Sequence, residues 1–425
     1  MLLTLLAVVF VVTLLAGFPV AVVLGLSSAV YLLAAGLPLA IIPQKMFSGM
    51  DSFVLLSIPA FILAGNLMNG GGITDRIIRF ANAVVGHVRG GLAQTNVAGS
   101  MVFAGISGTA AADAASLGAV LIPGMQRAGY PVSFAAALTA AASTVGPIIP
   151  PSVPMIIVGS LTGISVGQMF LAGAVPGVML GVGMMITVYI LSIRRNFPRE
   201  SWKGWGELWQ AFRGAIWALG MTFLILFGIV SGYFTPTEAA VIAVLYAAVV
   251  GLFVYKGLAW RDIPRLIAES AIAGAAIMLL VGFANVFGWI LTAERVPQAI
   301  AEWLLGATRN PFAIIILINL LLIVVGMFME TIAALIILTP PLLAVASGVG
   351  IDPVHFATFV ILNLMIGLTT PPVGVCLFIC ANIAKVSLAE ISRAIWPFLV
   401  CNFIVLALVS FIPALSLTLP TIFYR

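Results

Sequence analysis

Charge is scarce in this chain: Asp, Glu, Lys and Arg together make up only 7% of 425 residues, against roughly one quarter in a soluble domain. That scarcity excludes a separate soluble domain. Cysteine is nearly missing as well. Cys376, Cys380 and Cys401 lie inside apolar runs without paired spacing, which excludes a disulfide framework and a zinc site and leaves them packing roles. What fills the chain instead is apolar: 63% of residues are hydrophobic and the mean hydropathy is +1.25. A spanning helix needs ~20 such residues, and runs of that kind follow one another from end to end, so an all-α polytopic membrane protein is expected and a barrel is not. The first run, "MLLTLLAVVFVVTLLAGFPV", has neither a basic leader nor a small-residue cleavage site and reads as a retained helix. The net charge of +5 is a topology signal here, with the lipid bilayer as partner and no nucleic acid expected.

Certain stretches recur at a nearly constant interval. "PVSFA" (131–135) matches "PVHFA" (353–357) 222 positions later, as Thr109 matches Thr331 and Ser165 matches Ser387. At 221, "GPIIPPSV" from Gly146 meets "GLTTPPVG" from Gly367, and Pro176 meets Pro397. Gly65 and Ile73 align with Gly288 and Val296 at 223, and Pro19 with Pro236 at 217. The two halves are versions of one unit, a pattern that in membrane proteins usually marks a transporter.

Charge orients them. "ITDRIIRFANAVVGHVRG" puts Ile73, Ile77, Phe80, Val84 and Val88 on one helical face, with Arg76, Arg79 and Arg89 elsewhere: a basic amphipathic helix lying on the membrane surface. Its partner in the second half carries two acids and two arginines. A basic and a neutral version belong on opposite sides of the membrane, so two inverted-topology repeats are expected. The first, 1-200, has scaffold helices within 1-70 (2–17, 18–35 and 52–69), the surface helix 73-88, a re-entrant hairpin 91-125, a broken helix 131-162 and a helix 169-192. A cytoplasmic linker, 194-213, with three tryptophans along the interface, leads to the second repeat, 214-425. That repeat has scaffold helices 214-290, a surface helix 294-309, a hairpin 311-345, a broken helix 353-384 and a helix 392-416. The hairpins follow from length, because each arm is too short to cross ~30 Å alone. With Met1 outside, 14 of the 18 Lys and Arg fall inside, leaving Lys45, Arg295, Arg309 and Arg425 outside. Both termini are therefore expected in the periplasm.

Irregular backbone at membrane depth is tolerated only where it is buried in protein or lines a cavity. Four such breaks occur: "GISGT" (105–109), "GPIIPPS" (146–152), "GMFMET" (326–331) and "GLTTPP" (367–372). Proline removes a donor and disfavours helix before it, glycine permits a sharp turn, and each break frees carbonyl oxygens. Those oxygens, with nearby hydroxyls, can cage a hard cation such as Na+, one cage per half and thus two or more ions. The expected cage residues are Ser107, Gly108, Thr109, Gly146 and Pro150 in the first half. In the second they are Met329, Glu330, Thr331, Thr369, Thr370 and Pro371. Half-helices starting after the breaks aim positive N-termini at the region between, where an anion can sit on Gly108, Thr109, Ala110, Ser152, Thr370 and Pro372.

The stretches "SFVLLSIPAFILAGNLMNGGGITDRIIRFANAVVGHVRGGLAQTNVAGSMVFAGISGTAAADAASLGAVLIPGM", "GPIIPPSVPMIIVGS", "GYFTPTEAAVIAVLYA" and "TPPVG" resemble the large membrane subunit of tripartite ATP-independent periplasmic (TRAP) transporters over nearly the whole chain. Many of these relatives carry Ser where Thr109 stands, which keeps the hydroxyl. The resemblance implies an elevator-type transporter in the bacterial inner membrane, its mobile domain holding both hairpins and both broken helices. It also implies a small four-helix membrane subunit and a periplasmic substrate-binding protein that delivers an organic acid, such as a dicarboxylate, sialic acid or a 2-oxo acid.

Several residues have plainer roles. Glu330 is expected to support the cation site or cap the amides of Thr331 to Ala334, since a carboxylate repels an anionic substrate. Asp113 suits the N-terminal dipole of its half-helix, Asp51 an N-cap, and Thr235 with Glu238 a capping box around Pro236. Arg76 and Arg79 read as snorkelling residues. Two rivals remain: a standalone sodium-coupled carrier of the same architecture, and an intramembrane serine protease using Ser107 of "GISG" with His355 as base, against which the repeated break argues.

Overall fold

A computed structural model describes residues 2–424, without the side chains of Ser107, Ala301, Trp303, Leu304, Leu305 and Ala307. All regular structure in them is helical: α1 (Leu2–Leu15), α2 (Val20–Ala34), α3 (Ile41–Met50), α4 (Ser57–Gly70), α5 (Ile73–Val85), α6 (Gly91–Ser107), α7 (Ala110–Arg127), α8 (Val132–Ser143), α9 (Val153–Thr162) and α10 (Val166–Arg195) lead to the midpoint. Then follow α11 (Trp205–Val230), α12 (Pro236–Val249), α13 (Ile263–Ala293), α14 (Val296–Ala307), α15 (Pro311–Phe328), α16 (Thr331–Gly348), α17 (Pro353–Gly367), α18 (Val375–Ala384), α19 (Leu388–Ala394), α20 (Trp396–Phe411) and α21 (Ala414–Phe423). Six of these segments are long and apolar enough to cross a membrane, or up to eight if each bent pair is one span. The chain is thus an all-helical polytopic membrane protein with broken and re-entrant helices.

Local chemistry sets the helix starts. Thr235 Oγ1 accepts from the Glu238 amide at 3.2 Å while the Glu238 carboxylate accepts from the Thr235 amide at 2.8 Å, with Pro236 opening α12. Asp352 accepts from the amides of Val354 and His355 at 2.8 and 3.1 Å to start α17. Each such bond satisfies a first-turn amide that the helix itself leaves unpaired.

Several elements differ from the sequence expectation. Asp51 is no N-cap: it ends α3, with φ −75° and ψ 66°, and α4 begins only at Ser57. The α3 segment "IIPQKMFSGM" contains Pro43 and Gly49 and no long apolar run, so its sequence hides a helix. The linker is shorter than 194-213, because α10 runs to Arg195 and α11 starts at Trp205. The final 392-416 helix is three pieces. Pro397 opens α20, and a 56° bend separates it from α21 at Ile412 and Pro413. Arg76 and Arg79 have specific partners that the sequence did not indicate. The Arg76 guanidinium lies over the Tyr255 ring at 4.0 Å and donates to Gly72 O at 2.7 Å, while Arg79 forks onto both oxygens of Glu207 at 3.0 and 3.3 Å. These contacts fasten α5 to α11 and to Tyr255, which follows the helical turn Val250–Val254 that continues α12.

The segment 196–204 is tied down at the α5–α6 corner. The Glu200 amide donates to Gly86 O at 3.2 Å, its carboxylate accepts from Asn82 at 3.0 Å and pairs with Lys203 at 2.7 Å, and Thr95 of α6 donates to Asn82 Oδ1 at 2.9 Å. Partial burial pushes the Glu200 carboxyl up, but the bonds from Lys203 and Asn82 outweigh it and hold the group below its ordinary 4.5. A depressed folded-state pKa contributes stability above the unfolded value and loses it as pH falls through the folded one. Glu200→Gln should therefore increase tryptic cleavage after Arg199 and Lys203 at neutral pH, and the wild-type tether should loosen only below about pH 4.5. Equal cleavage of variant and wild type would show that the segment is held by its backbone alone.

Candidate functional site

The first hairpin turns at Gly108, whose φ of +65° is left-handed and closed to most side chains. Thr109 follows in extended conformation and starts α7 without a side-chain cap, so its hydroxyl is not committed to the helix end. This tip rests on the proline break of its own half. Gly108 O accepts from the Val153 amide at 3.4 Å, and a Cβ on Gly108 would meet Pro151 O at 3.3 Å. Within the break, the Pro150–Pro151 peptide is cis. Ser152 Oγ donates to Pro147 O and accepts from the Met155 amide at 3.3 Å, capping α9. Ala110 and Pro150 are buried. Asp113, fully buried in the first turn of α7, lays its carboxylate against Gly146, where any Cβ would overlap it.

The second half repeats the arrangement. Met329 is extended, and Glu330 caps α16 by accepting from the Ala333 amide at 3.1 Å. Thr331 Oγ1 reaches Leu364 O at 3.5 Å, and a Cβ on Gly367 would meet Gly326 Cα at 2.7 Å, so α15 and α17 touch backbone to backbone. Thr369 and Thr370 both donate to Ile366 O at 2.9 Å, the Cys376 amide donates to Leu368 O at 3.1 Å, and Pro371–Pro372 is cis. Pro372 is exposed, and Gly374 then starts α18 without a side-chain cap.

The structure thus brings Gly108 to Pro151 and Val153 at the first Pro-Pro break, and Gly326 and Thr331 to Gly367 and Leu364 at the end of α17, just before Thr369, Thr370 and Pro371; among the described residues no hydrogen bond joins Met329 or Glu330 to those three. The Ser107 side chain lies outside the described residues. Sequence reasoning passed over the Gly326–Gly367 contact and the placement of Asp113 on Gly146; the only signal was a glycine at each point. Among the described residues no three His, Cys, Asp or Glu cluster as a metal site. A cation at these breaks would take main-chain and hydroxyl oxygens, the donor set of a hard ion.

His355 serves neither break. Its Nδ1 shares a 2.8 Å hydrogen bond with Ser416 Oγ and its Nε2 a 3.1 Å bond with Ser410 O, so the ring is engaged by α20 and α21. Cys376 and Cys380 are buried and Cys401 is half-buried, all as free thiols.

Paired hairpins meeting paired interrupted helices define a membrane transporter with discontinuous helices. The model of the tripartite ATP-independent periplasmic transporter DctM component matches residues 7–415, and the chain belongs to that family: it is a TRAP large permease, a transporter and not an enzyme. It is 42% identical over 383 residues to the sialic acid TRAP transporter large permease SiaM of Vibrio cholerae, covering 89% of each chain. To the C4-dicarboxylate large permease DctM of Pseudomonas aeruginosa it is 40% identical over 376 residues, 88% of each. It is 38% identical to the isethionate TRAP permease DctMQ of Oleidesulfovibrio alaskensis over 96% of this chain but 65% of that one. The fold is also that of the YdaH transporter of Alcanivorax borkumensis, with TM-score 0.63 and 14% identity over 86% of this chain and 87% of that one.

Gly367→Ala should destabilise the purified protein by about 1–3 kcal/mol through overpacking against Gly326, whereas Gly124→Ala, with open space around it, should be neutral or stabilising. Thermal unfolding in detergent makes the comparison. Similar midpoints for the two would mean that α15 and α17 separate at no cost.

Proposed function

We propose that this chain is the transport subunit of a three-component TRAP system that takes up a small carboxylate-bearing organic anion across the bacterial inner membrane, driven by Na+. The observation that carries this reading is the contact of each hairpin with the interrupted helix of its own half, Gly108 with Pro151 and Val153 in the first and Gly326 and Thr331 with Gly367 and Leu364 in the second. A hairpin alone offers only its own last-turn carbonyls; with the break beside it, oxygens converge from two directions, as a cation with several ligands requires. The first cage takes Ser107, Gly108, Thr109, Gly146 and Pro150, with the Asp113 carboxyl group close behind Gly146. The second takes Met329, Glu330, Thr331, Thr369, Thr370 and Pro371.

The half-helix ends also differ in a way that favours particular places for the substrate. Asp113 sits in the first turn of α7 and Glu330 caps α16, so an acid already offsets both N-termini. No acid lies in the first turn of α9 or α18. Their positive ends are free to attract an anion, with Ser152 at one and Thr370 and Pro372 near the other. Gly108, Thr109 and Ala110 complete the site from the tip. Relatives named for sialic acid and C4-dicarboxylates support a carboxylate, and the longer DctMQ relative supports a small membrane subunit working beside this one. A periplasmic binding protein completes the system. In this reading the halves are inverted repeats, the hairpins and broken helices form the elevator, and both termini face the periplasm.

In proteoliposomes with both partner proteins, uptake should follow an inward sodium gradient. Thr109→Ala and Thr370→Ala should each raise the half-saturating sodium concentration by an amount on the order of 1–2 kcal/mol. Unchanged sodium dependence in both variants would move the cation sites elsewhere, and robust uptake by this chain alone would favour a standalone carrier. Topology reporters at residue 200 and at the C-terminus should give opposite readings; equal readings would remove the inverted-repeat model.

A further inference from the structure

The two halves place an asparagine bond at the same point beneath each hairpin tip. On α6, Asn96 Nδ2 donates to Thr139 Oγ1 of α8 at 2.6 Å, and both residues are fully buried. On α15, Asn319 Oδ1 accepts from Asn363 Nδ2 of α17 at 2.7 Å, and the same amide reaches Asn319 O at 3.0 Å. Asn319 follows Asn96 by 223 positions and Asn363 follows Thr139 by 224, one and three residues more than the 222 and 221 that relate the tips and the Pro-Pro breaks. Along the helix the bonds lie ~18 Å below Gly108 and ~15 Å below Met329, at 1.5 Å per residue.

We propose that Asn96–Thr139 and Asn319–Asn363 are register clamps: positioning residues that set the axial alignment of each hairpin's first arm on its broken helix, and so the spacing of tip and break oxygens. At the tips themselves the helices meet largely through glycine backbone, at Gly108 beside Pro151 and Val153 and at Gly326 beside Gly367. Such contacts restrict register sterically, because a slide of one residue would press Ile366 or Leu368 against Gly326, but they offer little directional bonding. A side-chain amide adds it. Between packed membrane helices a slide of ~1.5 Å strips the amide of its partner, at greater cost for the fully buried Asn96–Thr139 pair than for the half-buried Asn319. A cation cage tolerates only small errors in oxygen position, so the clamp acts on affinity through atoms that never touch the ion.

The halves differ in what stands behind the clamp. Asn319 Nδ2 also donates to Ser410 Oγ of α20 at 3.1 Å, whereas Asn96 Nδ2 has Met125 Sδ of α7 at 3.7 Å. The second clamp is thus braced by a third helix, and the first relies more on its single strong bond.

This inference rests on the sodium-coupled reading, and the test separates the two. In the complete three-component system, Thr139→Val and Asn363→Val remove each bond, while Thr139→Ser and Asn363→Thr retain a hydroxyl; Asn363→Thr gives the second half the pair found in the first. The Val variants should raise half-saturating sodium roughly three- to ten-fold, with maximal uptake within about twofold, more so for Thr139→Val than for the braced Asn363→Val. The hydroxyl variants should stay near wild type. Val variants that lose maximal uptake or folded yield while keeping wild-type sodium half-saturation would overturn the clamp. Amide exchange in the purified chain provides a second measurement that needs no ion: segments 104–110 and 326–332 should exchange faster in the Val variants, and unchanged exchange there would also overturn it. If wild-type uptake shows no sodium dependence at all, the coupling assignment fails, and tip exchange alone still decides whether the clamps exist.

Discussion

Every irregular feature of this protein answers to one constraint: inside a bilayer a backbone carbonyl or amide finds no water and must be satisfied by the protein or by something the protein binds. The four breaks release such groups inside the protein, where Gly108, Gly146, Gly326 and Gly367 are all buried. Hydroxyls take up part of the load. Thr369 and Thr370 converge on Ile366 O, Ser152 turns back to Pro147 O, and Thr331 reaches Leu364 O. A hydroxyl that donates to a carbonyl still presents its own lone pairs, so the groups that make a break tolerable without a cation are the groups that would ligate one.

The same constraint explains the glycines. For oxygens from a hairpin and a broken helix to converge, the two backbones must approach more closely than side chains allow, and Gly326 with Gly367 does so through main-chain atoms alone. Gly146 makes room for the Asp113 carboxylate in the other half. The two halves thus solve one geometric problem differently. In the first, a buried acid stands behind the break. In the second, the acid is Glu330 at the tip itself, already occupied in capping α16.

Much of this was legible beforehand because the signals are long-range and redundant. Apolar runs separated by breaks at a 222-residue interval identify the paired hairpins and interrupted helices, and composition alone identifies the membrane class. What escaped was decided by tertiary contacts or by weak local chemistry. Asp51 has the residue type of an N-cap, but the helix it borders is the preceding one. Arg76 and Arg79 look like interface anchors until Tyr255 and Glu207, more than a hundred residues away, approach them. The bend at Ile412 and Pro413 sits in a run whose hydropathy continues across it. At the candidate site the sequence pointed to the breaks and to the hydroxyls in them. It also put Asp113 and Glu330 at the starts of their half-helices, where the structure has them, but it did not reveal the close approach of Asp113 to Gly146 or of Gly326 to Gly367, which only the packing brings about.

Sequence repetition also invites a picture of two independent halves, and the packing contradicts it. α18 of the second half lies against α7 and α8 of the first, and α16 lies against α9. Gly118 of α7 is close enough to Ile383 of α18 that a Cβ would meet it at 3.1 Å. Each hairpin therefore rests on its own broken helix through the tip and on the other half through its second arm. A shift at one break is felt by α18 or α16 and so by the opposite break. The helices that begin at one break form part of the wall of the other, so the two breaks share one packed interior.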